Sequence, residues 1–295
     1  MKILICGAGG QLGSDCAKVL QGAHEVFALS SKELDITDPP DVDRITGHLT
    51  PEIILNCAAY TNVDACETER GPAWKVNVEG PKNLASWAAK YGGLLIHISS
   101  DYVFDGRKEP PEPYVEDDEP NPLSCYGRTK LEGEAAVMQA AGQYIILRTA
   151  WLYGMHGRNF LKTILRSVLR DPDRKLKVVN DQFGSPTWSY RLALQIAELI
   201  KKNGRGTYHA TAEGHCTWYE LAGHFLTEMG IGHSLIPCTS DEYPTPAIRP
   251  GNSILENKRL KKAGINLMRD WFHDVDQFVS MFREQLIDEA IEAGL

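Results

Sequence analysis

Tyr126 and Lys130 stand four residues apart in the stretch SCYGRTK, Ser124 to Lys130. On a helix that spacing puts both on one face, one turn apart. A phenol is a weak acid, with an ordinary pKa of about 10. A neighbouring ammonium favours the phenolate and lowers that value. A tyrosine tuned in this way can exchange a proton with a substrate oxygen. Taken alone, the pair is more often an ordinary exposed helix face, so its chemistry depends on what else converges on it. Ser99 and Ser100 close the apolar run LLIHI, followed by Asp101 and Tyr102. A hydroxyl at the carboxyl end of a strand can hydrogen-bond a carbonyl oxygen, although a serine pair there is also a common strand cap. Joined to the Tyr–Lys pair and to a cofactor-binding glycine loop, the set would complete a carbonyl-reducing constellation: Ser100 orients the carbonyl, Tyr126 donates the proton and Lys130 tunes Tyr126.

Such chemistry needs a hydride donor. GAGGQLG, Gly7 to Gly13, follows the first apolar run and opens an amphipathic segment. Gly7, Gly10 and Gly13 are spaced G-x-x-G-x-x-G, which permits a tight turn and brings backbone close to a pyrophosphate at a helix N-terminus. A strand–turn–helix context of this kind points to a dinucleotide. NAD-selective sites usually carry an acid at the end of the second strand, about twenty residues on. Here Leu29, Ser30, Ser31 and Lys32 stand there, so NADPH is allowed as well as NADH. Asp35, followed by Ile36, is placed either to accept from an adenine amino group or to cap a turn. The small residues Ala58 and Ala59, before Tyr60, let a nicotinamide ribose pass the carboxyl end of the third strand.

The elements that must hold these residues are legible as alternation. Apolar strands are expected at Lys2–Cys6, Glu25–Leu29, Glu52–Asn56, Leu94–Ile98 and Tyr144–Leu147. Helices are expected at Gln11–Leu20, Pro40–Leu49 with Asp38 as N-cap, Gly71–Lys90 and Pro122–Ala141. Apolar strands alternating with helices predict an α/β fold: a Rossmann-like doubly wound parallel sheet covered on both faces. Beyond Arg148 the rhythm loosens. Helices are expected at Asn159–Arg170, Tyr190–Lys202, Trp218–Met229 and Asp274–Ala293, and strands at Leu176–Val179 and Thr207–His209. This predicts a nucleotide-binding domain over 1–150, with segments of roughly 176–210 returning to it, and a smaller C-terminal α/β substrate lobe over 151–295.

Bulk properties narrow the class. The chain has 295 residues, 43% of them hydrophobic, and a formal charge of −8. That charge argues against nucleic acid or an anionic membrane as partner. Neither a membrane span nor a signal peptide is expected. The seven cysteines show no C-x-x-C pair and no zinc-like spacing, which fits reduced thiols in the cytoplasm. Cys125, beside Tyr126, has no flanking nucleophile motif and is read as a bystander. His97, inside a strand, is read as a satisfied core residue, and Asp101 and Asp181 as structural acceptors.

Nine segments in order carry a family likeness: GAGGQLG, ELDITD, NCAAYTNVDACE, ISSDYVFDG, YGRTKLEGE, RTAWLYG, NFLKT, DQFGSPT and IRPGNS. Over nearly its whole length the chain resembles the dTDP-4-dehydrorhamnose reductases of the extended short-chain dehydrogenase/reductase superfamily. The resemblance implies NAD(P)H-dependent reduction of a 4-keto sugar nucleotide, dTDP-4-dehydro-β-L-rhamnose foremost. It assigns catalysis to Ser100, Tyr126 and Lys130, and cofactor contacts to Gly10, Gln11, Leu12, Asp35, Ile36, Ala58, Ala59 and Tyr60. Val63, Tyr102, Trp151 and Arg249 align with the sugar-nucleotide pocket, with Asn159 and Gln182 as further candidates. On physical grounds Trp151 follows the fifth strand and can stack on a sugar or base, or merely fill core. Arg249 can clamp a diphosphate or remain a solvated loop arginine. Ser100 stands where the family more often has Thr, which keeps the hydroxyl.

A homodimer is allowed. Some relatives are metal-bridged dimers using acidic side chains, but Tyr190 stands where an acid is expected and only Asp15 remains, so no structural metal is expected. A sugar-nucleotide dehydratase would need an Asp-Glu pair after Ser100, and here Tyr102 follows Asp101. A non-catalytic NADP-binding protein, like the regulatory subunit of methionine adenosyltransferase, is the alternative from another class. The acidic tail Asp288–Leu295 matches no motif.

Overall fold

The computed structural model describes residues 1–292. In chain order the first part runs β1 (Lys2–Cys6), α1 (Gln11–Leu20), β2 (Glu25–Leu29), α2 (Pro39–Leu49), β3 (Ile53–Asn56), α3 (Arg70–Trp74), α4 (Gly80–Tyr91), β4 (Leu94–Ser100), α5 (Cys125–Ala140) and β5 (Gln143–Thr149). It continues with β6 (Leu152–Tyr153), α6 (Phe160–Arg170), β7 (Leu176–Val179), β8 (Phe183–Gly184), β9 (Thr187–Trp188), α7 (Ser189–Lys201), β10 (Gly206–His209), β11 (Cys216–Thr217), α8 (Trp218–Glu228), β12 (Leu235–Cys238), α9 (Lys258–Lys262) and α10 (Trp271–Glu292). The end of the expected last helix at Ala293, and the tail residues 293–295, lie outside the described residues.

Six strands form one sheet in the order β10-β5-β4-β3-β1-β2, every pair parallel. Strands buried on both faces are largely apolar, which is why β3 and β4 open on the apolar runs IIL and LLI, with Asn56 and His97 paired to each other behind them. One face of the sheet packs on Leu12, Cys16 and Leu20 of α1 and Leu192, Ile196 and Leu199 of α7. The other packs on Val42, Leu84, Ala88 and Val137. The strand order reverses between β1 and β3, and ligands of such sheets bind outside the carboxyl ends at that point.

The second lobe is built on short two-stranded pieces, β6 with β9, β8 with β11 and β7 with β12. Around them α6, α8 and α10 close a core of Leu161, Leu165, Phe225, Leu226, Val275 and Phe278. The return to the first lobe begins at Ser189, not near 176. Strand β7 pairs with β12 in the second lobe, whereas α7 lies on α1 and β10 joins β5. A further return was not anticipated: Leu260 of α9 and Ile265 are buried in the core of the first lobe.

Several boundaries moved for local reasons. Helix α5 starts at Cys125 because Ser124 caps it, its hydroxyl accepting from the Gly127 amide. Asp38 holds the N-cap position of α2, but its side chain makes no cap bond. The helix expected over Gly71–Lys90 is broken by a π turn at Lys75–Glu79. Strand β4 runs on to Ser100, with Ser100 in register with Thr149 of β5.

Candidate active site

The glycine turn is a cradle that side chains would fill. Gly7 lies in the left-handed region at φ +80°, and a Cβ on it would come within 2.7 Å of the Ala58 nitrogen. A Cβ on Gly13 would come within 2.3 Å of the Gly7 carbonyl oxygen. Bare backbone therefore lets β1, the end of β3 and α1 close on one point. Gly10 is the N-cap of α1 and offers no side-chain cap, so the first-turn amides, those of Gln11 and Leu12 among them, remain available for an anion. These residues fit a dinucleotide diphosphate. Asn159 belongs to this side of the crevice: its amide donates to Gln11 Oε1 at 3.0 Å and to the Gly154 carbonyl at 2.8 Å. It also caps α6.

The remaining cofactor candidates are held by turns. Asp35 Oδ1 accepts from the Thr37 amide and hydroxyl at 2.9 and 2.8 Å, the turn-capping alternative. Ile36 is buried, with Gly80 leaving it room. After β3, Ala58, Ala59 and Tyr60 are half-buried. The Tyr60 amide donates to Asn77 Oδ1 at 2.8 Å, and Asn77 Nδ2 donates to the Tyr60 carbonyl and to Thr129 Oγ1. Asn77 sits in the π turn, so that irregularity ties the loop after β3 to α5. The Tyr60 hydroxyl is bonded to Glu69, which pushes its pKa up to about 12.

Helix α5 presents Tyr126, Lys130 and Glu134 at four-residue intervals. Two glycines let it approach. A Cβ on Gly127 would meet the Tyr102 carbonyl oxygen at 2.2 Å, and one on Gly133 the Asn77 carbonyl oxygen at 2.2 Å. Glu134 is fully buried and takes a fork of bonds from Arg148 of β5, Nε at 2.9 Å and Nη2 at 2.7 Å, together with the Ser99 hydroxyl. This clamp fixes α5 against the carboxyl ends of β4 and β5. Tyr126 is thereby held beside Ser100 at the end of β4, edge-on to Tyr102 at 5.5 Å between ring centres.

The electrostatics of the trio differ from the expected acidified phenol. Burial pushes the Tyr126 phenol up, with Ser100 the opposing influence and Asp101 and Cys66 adding to the rise. Burial pulls the Lys130 ammonium down to about 8, against Glu134 and Cys57. Lys130 Nζ turns to the backbone and donates to the Ile98 carbonyl at 2.7 Å. Tyr126 is thus a protonated phenol at neutral pH, the form that can give a proton to a developing alkoxide. Ser100 donates its own proton to Asp101 Oδ1 at 2.8 Å and accepts from the Tyr102 amide at 3.2 Å. Asp101 is buried, and burial raises it to about 6 although the Ser100 and Ser253 hydroxyls pull the other way. Its Oδ2 has no hydrogen-bond partner among the described residues.

The second lobe supplies the far wall. Trp151 turns out of β5 in a left-handed conformation, φ +47°, a costly choice for a bulky residue. Its ring lies flat on Trp218, 3.5 Å between centres, and its Nε1 donates to Ser253 Oγ at 3.1 Å. Gly184 leaves room for it, since a Cβ there would come within 2.3 Å of the indole. Gln182 is spent internally, accepting from Trp218 Nε1 and donating to Ser240. Arg249 is partly exposed but paired: it forks onto Asp64 at 3.2 and 3.1 Å, tying the Pro-rich loop to the loop of Val63 and Asp64. Tyr102 feels both members of that pair.

Asp64, Asn77, Glu134, Arg148, Trp218 and Ser253 were not singled out from sequence. Glu134 alone left a signal, the Tyr–Lys interval repeated once more in YGRTKLEGE. His97 is only half satisfied: Nδ1 meets Asn56 at 3.2 Å, while Nε2 has no partner among the described residues and burial holds the ring neutral. Asp181 is the expected acceptor, for the amide and hydroxyl of Ser240. All seven cysteines are free, and burial raises the Cys125 thiol. Asp15 is buried and bonded by Ser189. His224, Glu228 and Asp276 bring ligand atoms within 4.8 Å of one another on α8 and α10, in the second lobe.

The family described as RmlD substrate binding domain matches residues 1–284. A dTDP-4-dehydrorhamnose reductase of Aggregatibacter actinomycetemcomitans is 41% identical, over 92% of this chain and 95% of that one. The crystal structure of a dTDP-4-dehydrorhamnose reductase from Clostridium acetobutylicum superposes with a TM-score of 0.92 at 42% identity, covering 96% of this chain and 100% of the other. That of the Bacillus anthracis dTDP-4-dehydrorhamnose reductase in complex with NADP gives 0.91 at 36% identity, covering 95% and 99%.

Proposed function

Because this chain belongs to the dTDP-4-dehydrorhamnose reductase family, we propose that it reduces the 4-keto group of a nucleotide-linked deoxysugar with NAD(P)H. The substrate is dTDP-4-dehydro-β-L-rhamnose and the product dTDP-L-rhamnose, a polysaccharide precursor. One observation supports this reading: a phenol kept protonated by burial lies beside a strand-end hydroxyl, with a buried ammonium one helical turn along, at the carboxyl edge of the sheet that also carries the bare-backbone cradle. Gly7, Gly10, Gln11, Leu12 and Gly13, with Asp35, Ile36, Ala58, Ala59 and Tyr60, hold the cofactor, which when bound supplies a hydride. Tyr126 gives the proton to the reduced oxygen, and Lys130 supports the phenolate left behind. Ser100 steers the carbonyl once its proton is released from Asp101. Val63, Tyr102, Trp151 and Arg249 line the sugar-nucleotide side. Free thiols throughout support a reducing compartment such as the cytoplasm.

The test is loss of NADPH or NADH absorbance on adding the keto sugar nucleotide. Tyr126→Phe is expected to slow turnover by about 10²–10⁴ while cofactor binding persists. Normal turnover by that variant would refute the assignment of the proton donor. Cofactor binding without any consumption by the unaltered protein would favour a purely regulatory role.

A further inference from the structure

The end of β2 carries a two-donor fork already filled by a carboxylate. The Leu29 carbonyl accepts from the Gly7 and Ala8 amides, each at 3.0 Å, so the residue after it borders the glycine turn. That residue is Ser30. Its amide and its hydroxyl both donate to Glu33 Oε2, at 2.9 and 2.8 Å. Lys32 stands between them in sequence, exposed. The backbone beneath is fixed: Glu33 and Leu34 amides return to the Ser30 carbonyl, and Leu34 and Ile36 are buried. The Glu33 side chain is exposed, and Ser30 is its only hydrogen-bond partner among the described residues.

We infer that Glu33 is a tethered anion on the cofactor's adenosine-ribose subsite, and that its competition for Ser30 sets the balance between NADPH and NADH. The inference rests on the reductase reading above. A 2′-phosphate is an anion with the same demand for the Ser30 donors, and it gains Lys32 as counter-charge. To bind there it must expel a like-charged carboxylate. A free ribose hydroxyl carries no charge, and a carboxylate can accept its proton, so NADH meets no such opposition. The usual acid of an NAD site is therefore present in this chain, four residues beyond the strand end and folded back onto it. The bland alternative is a turn cap, in which Glu33 merely stiffens Ser30 to Glu33 and has no influence on either cofactor.

Calorimetric titration separates the two without turnover. Adenosine 2′,5′-bisphosphate and adenosine 5′-monophosphate are titrated into the unaltered protein, Glu33→Gln and Lys32→Ala. Glu33→Gln is expected to tighten the bisphosphate by about tenfold relative to the monophosphate. Lys32→Ala is expected to weaken the bisphosphate alone. Circular dichroism verifies that each variant is folded, as exposed positions should be. An unchanged ratio in Glu33→Gln, with both nucleotides binding, would overturn the inference and leave the reductase reading standing. Failure of the unaltered protein to bind either nucleotide would remove both.

Discussion

Lys130 illustrates how far a residue's setting can depart from its spacing. The four-residue interval to Tyr126 suggests an ammonium that acidifies a phenol. Burial instead acts on both groups and favours their neutral forms. That arrangement suits reduction, since the donor must carry its proton before the carbonyl arrives. It also gives the ammonium a limited pH range. Lys130 is pulled down to about 8, so its charge is present below pH 8 and lost as pH rises through it. If that charge supports the phenolate formed during turnover, kcat/KM should fall on the alkaline side with an apparent pKa near 8, because kcat/KM reports the free enzyme. Lys130→Arg keeps its charge throughout the accessible range, so its alkaline limb should vanish even if kcat is lower. A rate profile recorded from neutral to strongly alkaline pH checks this. The same limb in Lys130→Arg would show that some other group titrates.

At the scale of elements, α5 is the part on which the site depends. Its grip on the sheet is the buried fork from Arg148 to Glu134, with Ser99 as third partner. Removing one member of such a pair leaves the other charged and uncompensated, which typically costs about 3–5 kcal/mol. Glu134→Gln should therefore lower the urea midpoint sharply, and kcat should fall further as Tyr126 loses its fixed position. A variant as stable as the parent would show that the fork contributes little. The first lobe was legible because buried parallel strands are largely apolar, so Lys2–Cys6 announces itself to the residue, while the edge strand Glu25–Leu29, with no buried residue, is legible through its short run VFAL. Two-residue strands such as β6, β8, β9 and β11 have no periodicity to read. Nor does a sequence show that Gly127, Gly133 and Gly184 are small because a carbonyl or an indole lies where a Cβ would be. The Tyr–Lys pair was visible through its interval; Asn77, Ser253 and Trp218 act only through partners distant in the chain.

Across the whole molecule the crevice is bounded by two lobes whose loops already touch. Asp64 follows β3 of the first lobe, and Arg249 belongs to the Pro-rich loop of the second. Their forked pair, at 3.2 and 3.1 Å, bridges the two while both side chains stay partly exposed, at 25% for Arg249 and 36% for Asp64. An exchangeable pair of this kind contributes little to stability, but it keeps a guanidinium aimed at the site. A sugar-nucleotide diphosphate offers the same planar fork a stronger anion, so Arg249 can pass from carboxylate to phosphate with little rearrangement. In the proposed role Arg249 would serve binding in the ground state and the transition state alike, and losing such uniform binding raises KM without lowering kcat. Arg249→Gln should raise KM for the sugar nucleotide by about tenfold or more, a charged hydrogen bond being worth roughly 1.5–3 kcal/mol. KM for NADPH and kcat should barely move, and thermal stability should stay near the parent's. Steady-state kinetics with each substrate varied in turn tests all of this. A fall in kcat at unchanged KM would place Arg249 with the reacting atoms instead of the diphosphate.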